Sequence, residues 1–143
     1  MIISMIPTDI SELALVGAQT TVDAVTQALR RAILVQVRQH HESAFAESRF
    51  VNCAITGKPV QREFAHVDHR PPDTFLRLVN RFLEAEGLQL GSVAVLPTTD
   101  GSTVTQLANH ALAERWRVFH RANAVLQITS ARANLSQGSG AIQ

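Results

Sequence analysis

Apolar residues recur at three- and four-residue steps through Val22, Val25, Leu29, Ala32, Ile33 and Val37. That spacing lines one face of a 3.6-residue period, so it predicts an amphipathic helix, capped by Thr20 or Thr21 and ending near His40–Phe45. The other face carries Arg30, Arg31, Arg38 and His41, which read as a solvated face. From Phe50 the period changes. Two strand-like runs, Phe50–Thr56 and Val60–Val67, flank the turn residues Gly57-Lys58-Pro59 and predict a β-hairpin. Arg70-Pro71-Pro72 must stop the second strand, because proline has no donor for a ladder and biases its predecessor to extended backbone. Asp68 and His69 therefore lie at a strand end. Neighbours in a regular strand face opposite sides, so the two serve one site if the strand breaks there.

Asp73 is the expected N-cap of a helix over Thr74–Glu86, with Phe75, Leu78, Val79, Phe82 and Leu83 as its apolar stripe and Gly87 as its stop. Pro97 to Ser102 reads as a polar, turn-rich loop. A third helix is expected from about Val104 to Asn123, with Leu107, Ala111, Leu112, Trp116 and Phe119 inward. Val125–Thr129 predicts a further short strand, and Ser130 caps a short helix over Ala131–Gln137 before a flexible Gly138-Ser139-Gly140 tail.

With 143 residues, of which 45% are apolar, the chain suits a single domain with its own core. A formal charge of +1 argues against a non-specific nucleic-acid coat. Every basic residue except Lys58 is arginine, which favours planar two-pronged contacts to phosphate or carboxylate. The single cysteine, Cys53, excludes an internal disulfide and reads as a small buried hydrophobe. No apolar run approaches the ~20 residues that span a bilayer, and the first residues lack the marks of a signal peptide, so a cytoplasmic protein without membrane contact is expected.

The densest group of chemistry-bearing residues is His66-Val67-Asp68-His69. An aspartate supplies a hard oxygen ligand for Mg²⁺ or Mn²⁺, and a neutral histidine beside it can take a proton from water near neutral pH. The same residues would also suit a hydrogen-bonded turn. His120, after Trp116 and Phe119, invites the same two readings, a phosphate or metal neighbour or a structural histidine.

The string Val67-Asp68-His69 with Pro71 just after it, and much later Leu126–Gly138, resembles the HNH, or ββα-metal, nuclease family. Its pattern is Asp-His, then a strand, then a short helix bearing Asn or His. Ser130-x-x-Ala133-Asn134-x-x-Gln137-Gly138 stands where many members have Cys-x-x-Cys-Asn-x-x-Lys-Gly, so Asn and Gly match while the zinc-holding cysteines and the lysine do not. Val125 occupies the position of the usual central Asn, for which Asn123 or His120 would have to substitute. Cys53-x-x-Thr56-Gly57, His66–Phe75, Trp116-x-x-Phe119-His120 and Ala133-Asn134-Leu135 further resemble a group of small bacterial and phage HNH-like proteins. The resemblance implies that Asp68 and Asn134 hold one divalent metal ion, Mg²⁺ or Mn²⁺ with Zn²⁺ as the alternative. It makes His69 the general base, with His66, His120 and Asn123 as additional site residues. Arg70, Arg121 and Arg132 are then the phosphate contacts.

The fold expected is α+β: a ββα-metal (HNH-like) finger with a β-hairpin and a helical insertion over 73–123, packed on a long N-terminal helix. Residues 1–49 form the N-terminal segment, 50–138 the nuclease core and 139–143 the tail. The function expected is a metal-dependent endonuclease hydrolysing DNA, duplex or single-stranded. The alternatives are a catalytically inactive ββα module gripping nucleic acid or a protein partner, and a homodimer formed through the Thr21–Phe45 helix.

Overall fold

A computed structural model describes residues 22–96 and 105–133 of the chain. The expected caps Thr20 and Thr21, the Pro97–Ser102 loop, Asn134 and the tail lie outside the described residues. No helix among them is long and apolar enough to cross a membrane.

The first apolar stripe does form helix, but in two pieces: α1 over 22–32 and α2 over Leu34–Ala44, separated at Ile33 (φ −107°, ψ 11°). The break has a tertiary cause. Trp116 Nε1–H donates to the Leu29 carbonyl (2.9 Å) and Arg117 Nε–H to that of Ala32 (3.1 Å). Ile33 N–H turns instead to the Arg30 carbonyl, one residue short of the helical partner. Side chains that enter a helical ladder in this way bend it. Val25, Ala28, Leu29 and Ile33 face the core, whereas α2 has no fully buried residue and lies across the strands described next.

β1 (Phe50–Asn52) and β2 (Pro59–Gln61) pair antiparallel, as the hairpin reading expects. The second run is not one strand, however. A 3₁₀ turn over Arg62–Phe64 interrupts it, and β3 (Ala65–His69) leaves the hairpin to pair with a distant strand, β4 (Leu126–Ser130). The register opposes Asp68 to Gln127 and His69 to Leu126, and Arg70 N–H still donates to the Val125 carbonyl (2.7 Å). The strand thus does not break between Asp68 and His69; it ends at His69, and the Arg70 bond is the last before the prolines remove the donors. Ser130 closes β4 and its Oγ accepts from Ala133 N–H (3.1 Å), so the chain turns directly into helical backbone at 131–133.

Between β3 and β4 lies a helical layer. α3 (Phe75–Glu86) buries all five stripe residues and ends on Gly87, whose φ of 70° suits a residue without Cβ. Its N-cap is Thr74, not Asp73: the Thr74 hydroxyl accepts from Arg77 N–H, and Asp73 instead pairs with Arg81 at 3.1 Å. α4 (His110–Asn123) starts later than its periodicity suggests, because Asn109 caps it through Leu112 N–H and Leu107 belongs to a β-bridge with Val95. Its inward face holds Leu112, Ala113, Trp116 and His120, whereas Ala111 is exposed. Trp116, fully buried, touches Phe75, Phe82 and Phe119 and joins α1, α3 and α4 in one core. Burying a side chain of this size contributes about 3 kcal/mol. The architecture is α+β, with the Asp68–His69 strand end pressed against the helical layer.

Candidate functional site

Residues facing each other across an antiparallel pair share a side of the sheet. Val67, His69, Leu126 and Ile128 therefore face one side, and His66, Asp68, Gln127 and Thr129 the other. His69 is buried on the helical side. Its ring lies 5.5 Å from that of Phe75, and its Nε2 is 2.9 Å from His120 Nε2. His120 Nδ1 is 2.7 Å from Gln36 Oε1, and Gln36 Nε2–H donates to the Arg117 carbonyl (3.0 Å). The break at Ile33 matters here, because it sets the direction of α2 and hence of Gln36.

The surroundings keep both imidazoles uncharged. Burial, then the neighbouring His120 and Arg30, bring the pKa of His69 down to about 4. Burial and Arg121 bring that of His120 down to about 4. Arg30 lies over the face of Phe75, 4.2 Å from its centre, so its positive charge stands one ring away from His69.

Asp68 is 6% exposed, yet among the described residues the only hydrogen bond to its carboxylate comes from the backbone N–H of His69, to Oδ1 (3.0 Å). The bond is local, joining one residue's carboxylate to the next residue's backbone. The carboxylate and the imidazole remain on opposite faces of the β3–β4 pair, so the bond reaches the His69 backbone and not its ring. Burial raises the Asp68 pKa, and the His69 N–H bond and the nearby His66 offset only part of that rise. No ion pair to Asp68 exists among the described residues. On the same face Thr129, fully buried, has a hydroxyl without a hydrogen-bond partner among the described residues. Thr129 is diagonal to Asp68 in the register, and among the described residues no three histidine, cysteine, aspartate or glutamate side chains come together as a metal-holding group.

Of the remaining candidates, His66 is exposed and two residues before Asp68 on the same face. Asn123 is committed elsewhere: its Nδ2–H donates to the Phe119 carbonyl (2.8 Å) and its Oδ1 accepts from Arg81 (3.3 Å). Those two bonds leave one lone pair on Oδ1 and one hydrogen on Nδ2. Arg70, Arg121 and Arg132 are all exposed. Arg121 borders a groove of about 340 Å³ with Gln36, His40 and His120, and Arg132 borders one of about 580 Å³ with Lys58, Thr56 and Ser130.

Sequence reasoning missed Gln36, Arg30 and Lys58 as neighbours of these groups. Only a glutamine one turn beyond the Arg30-Arg31 pair hints at the first. Cys53 is buried, as expected, but it is more than a hydrophobe. Its Sγ accepts N–H bonds from Ile55 (3.4 Å), Thr56 (3.5 Å) and Ser130 (3.5 Å). Burial opposes the thiolate, but bonds from Thr56, Ser130 and Ile55 outweigh it and lower the pKa to about 6. With the Ala54 N–H bond to the Ile128 carbonyl (2.8 Å), this turn ties the β1–β2 hairpin to the outer edge of β4. No family model, curated protein or solved structure matches the chain.

Proposed function

We propose that the chain is a metal-dependent endonuclease of the HNH, or ββα-metal, type that hydrolyses DNA phosphodiester bonds. The observation that supports it most is one of connectivity: a strand ending in Asp68-His69 pairs with a strand that runs straight into a helix at 131–133, and the helical layer is inserted between them. That is the order Asp-His strand, second strand, helix which the sequence resemblance implies.

Asp68 and Asn134 would hold the cation. When bound, it neutralises charge on the phosphate and on the departing oxygen. Its carboxylate ligand is already desolvated and so meets the ion at reduced hydration cost. His69, neutral at physiological pH, accepts a proton from water as the water oxygen bonds to phosphorus. The bond from phosphorus to the 3′ oxygen breaks, and that oxygen takes a proton from solvent. The imidazolium returns its proton to solvent for the next turnover. Arg70, Arg121 and Arg132, with Lys58 beside the last, supply exposed cations that hold backbone phosphates.

The test is incubation of supercoiled plasmid with Mg²⁺ or Mn²⁺. The parent protein is expected to nick or linearise it, and Asp68→Ala and His69→Ala to lose at least about 100-fold in rate while remaining folded. Unchanged cleavage in either variant would remove that residue from the mechanism.

A second reading is a catalytically inactive ββα module that binds nucleic acid or a protein. It is favoured by Val125, which stands where the family has Asn; its side chain is exposed and its carbonyl accepts from Arg70 N–H. Retention of labelled DNA without cleavage, with or without metal, would select it.

A further inference from the structure

His69 Nε2 and His120 Nε2, 2.9 Å apart, share one hydrogen, and the nitrogen that carries it determines which atom of His69 is basic. The rest of the network decides between them, beginning from an atom with no choice. The Arg117 carbonyl oxygen only accepts, so the Gln36 atom 3.0 Å from it is the amide nitrogen. Turning the amide over would set two oxygens against each other. Gln36 Oε1 therefore faces His120 Nδ1 at 2.7 Å and demands a hydrogen on it. A neutral imidazole with its hydrogen on Nδ1 has its lone pair on Nε2. His120 Nε2 is thus the acceptor, His69 Nε2 the donor, and the lone pair of His69 is on Nδ1, which has no hydrogen-bond partner among the described residues.

We propose that Gln36 and His120 are positioning residues, which hold His69 in its Nε2–H tautomer and make Nδ1 the atom that receives the proton from water. The catalytic half of this proposal rests on His69 being the base of a nuclease; the tautomer does not. The direction of the chain suits the reaction. When Nδ1 gains the proton, the new imidazolium keeps its Nε2–H on the His120 lone pair, so the positive charge forms against an acceptor already in place. A His120 that donated toward His69 would oppose it. The Arg117 carbonyl, bonded to α2 through Gln36, thus sets the base's orientation from α4, three residues before His120.

The primary test is spectroscopic and needs no activity. In the full-length, metal-free protein with ¹⁵N-labelled histidine near neutral pH, two-bond ¹H–¹⁵N correlations should show His69 protonated on Nε2 and His120 on Nδ1. The reverse pattern overturns the proposal, whatever the protein cleaves. His120→Gln, whose amide oxygen can accept from His69, should keep the His69 pattern; His120→Leu, with no acceptor, should lose it.

In plasmid cleavage, His120→Leu is expected to lower kcat about 100-fold with KM within about twofold, and His120→Gln to recover most of that loss. An unchanged kcat in a folded His120→Leu protein overturns the positioning role. Should His120→Leu not fold, the parent and His120→Gln spectra still decide the tautomer. A parent with the expected tautomer that cleaves nothing with Mg²⁺ or Mn²⁺ would reject the nuclease reading and the catalytic role together, while the assignment of the hydrogens stands.

Discussion

Asp68 is held in a place that costs stability while it is charged. Its folded pKa is raised, so ionisation at neutral pH works against the fold. Asp68→Asn, which can still accept from His69 N–H, should therefore raise Tm in metal-free buffer, by roughly 1 kcal/mol of stability, and abolish the Tm increase that Mn²⁺ gives the parent. A parent whose Tm ignores Mn²⁺ would argue against the cation site. Thr129→Val asks a related question of the orphaned hydroxyl. It should stabilise the metal-free protein by about 1 kcal/mol in urea denaturation, because a buried group without a partner is removed.

The histidine pair acts in the opposite sense. Both have folded pKa values near 4, below the ordinary value near 6.5. Between those values the unfolded chain binds protons that the folded chain refuses. Stability should therefore be full above about pH 6.5, fall as pH drops toward about 4, and level off below that, with a loss on the order of several kcal/mol for the pair. Denaturation midpoints across this range check it, and His120→Leu should flatten the slope.

At the level of elements, the joint between α1 and α2 is held by two side-chain donors, the Trp116 indole and the Arg117 guanidinium. Trp116→Phe retains most of the ring but cannot donate to the Leu29 carbonyl, and a cost of about 2 kcal/mol in urea denaturation is expected. The joint was invisible in the sequence, since residues 22–44 contain neither Pro nor Gly and their apolar spacing runs on without a gap. α3 was legible almost whole, because its stripe, Thr74 and Gly87 act locally. The division of the 60–67 run was not: nothing in Arg62-Glu63-Phe64 signals a turn, and β3 is drawn away by a partner far along the chain. Asp68 and His69 announced themselves as ligand-type residues in a row, whereas the His120–Gln36 connection arises only when three helices and a sheet have met.

For the molecule as a whole, the hairpin turn at Cys53, the β3–β4 pair and the helical layer are mutually braced. The pairing between β3 and β4 closes a long loop, 70–125, so its formation must await the helices that shorten the gap. The site is thus assembled by tertiary structure, and a peptide joining Ala65–His69 directly to Leu126–Gln137 should bind no Mn²⁺ by calorimetry.

The facing of Asp68 against Gln127 also governs which changes of chain length the molecule tolerates. One residue gained or lost inside Ala65–His69 would send the imidazole to the carboxylate's side and the carboxylate under the helices. Length changes between α3 and α4 leave that parity alone. Over evolutionary drift, insertions and deletions should accumulate in that connection and be purged from the two strands.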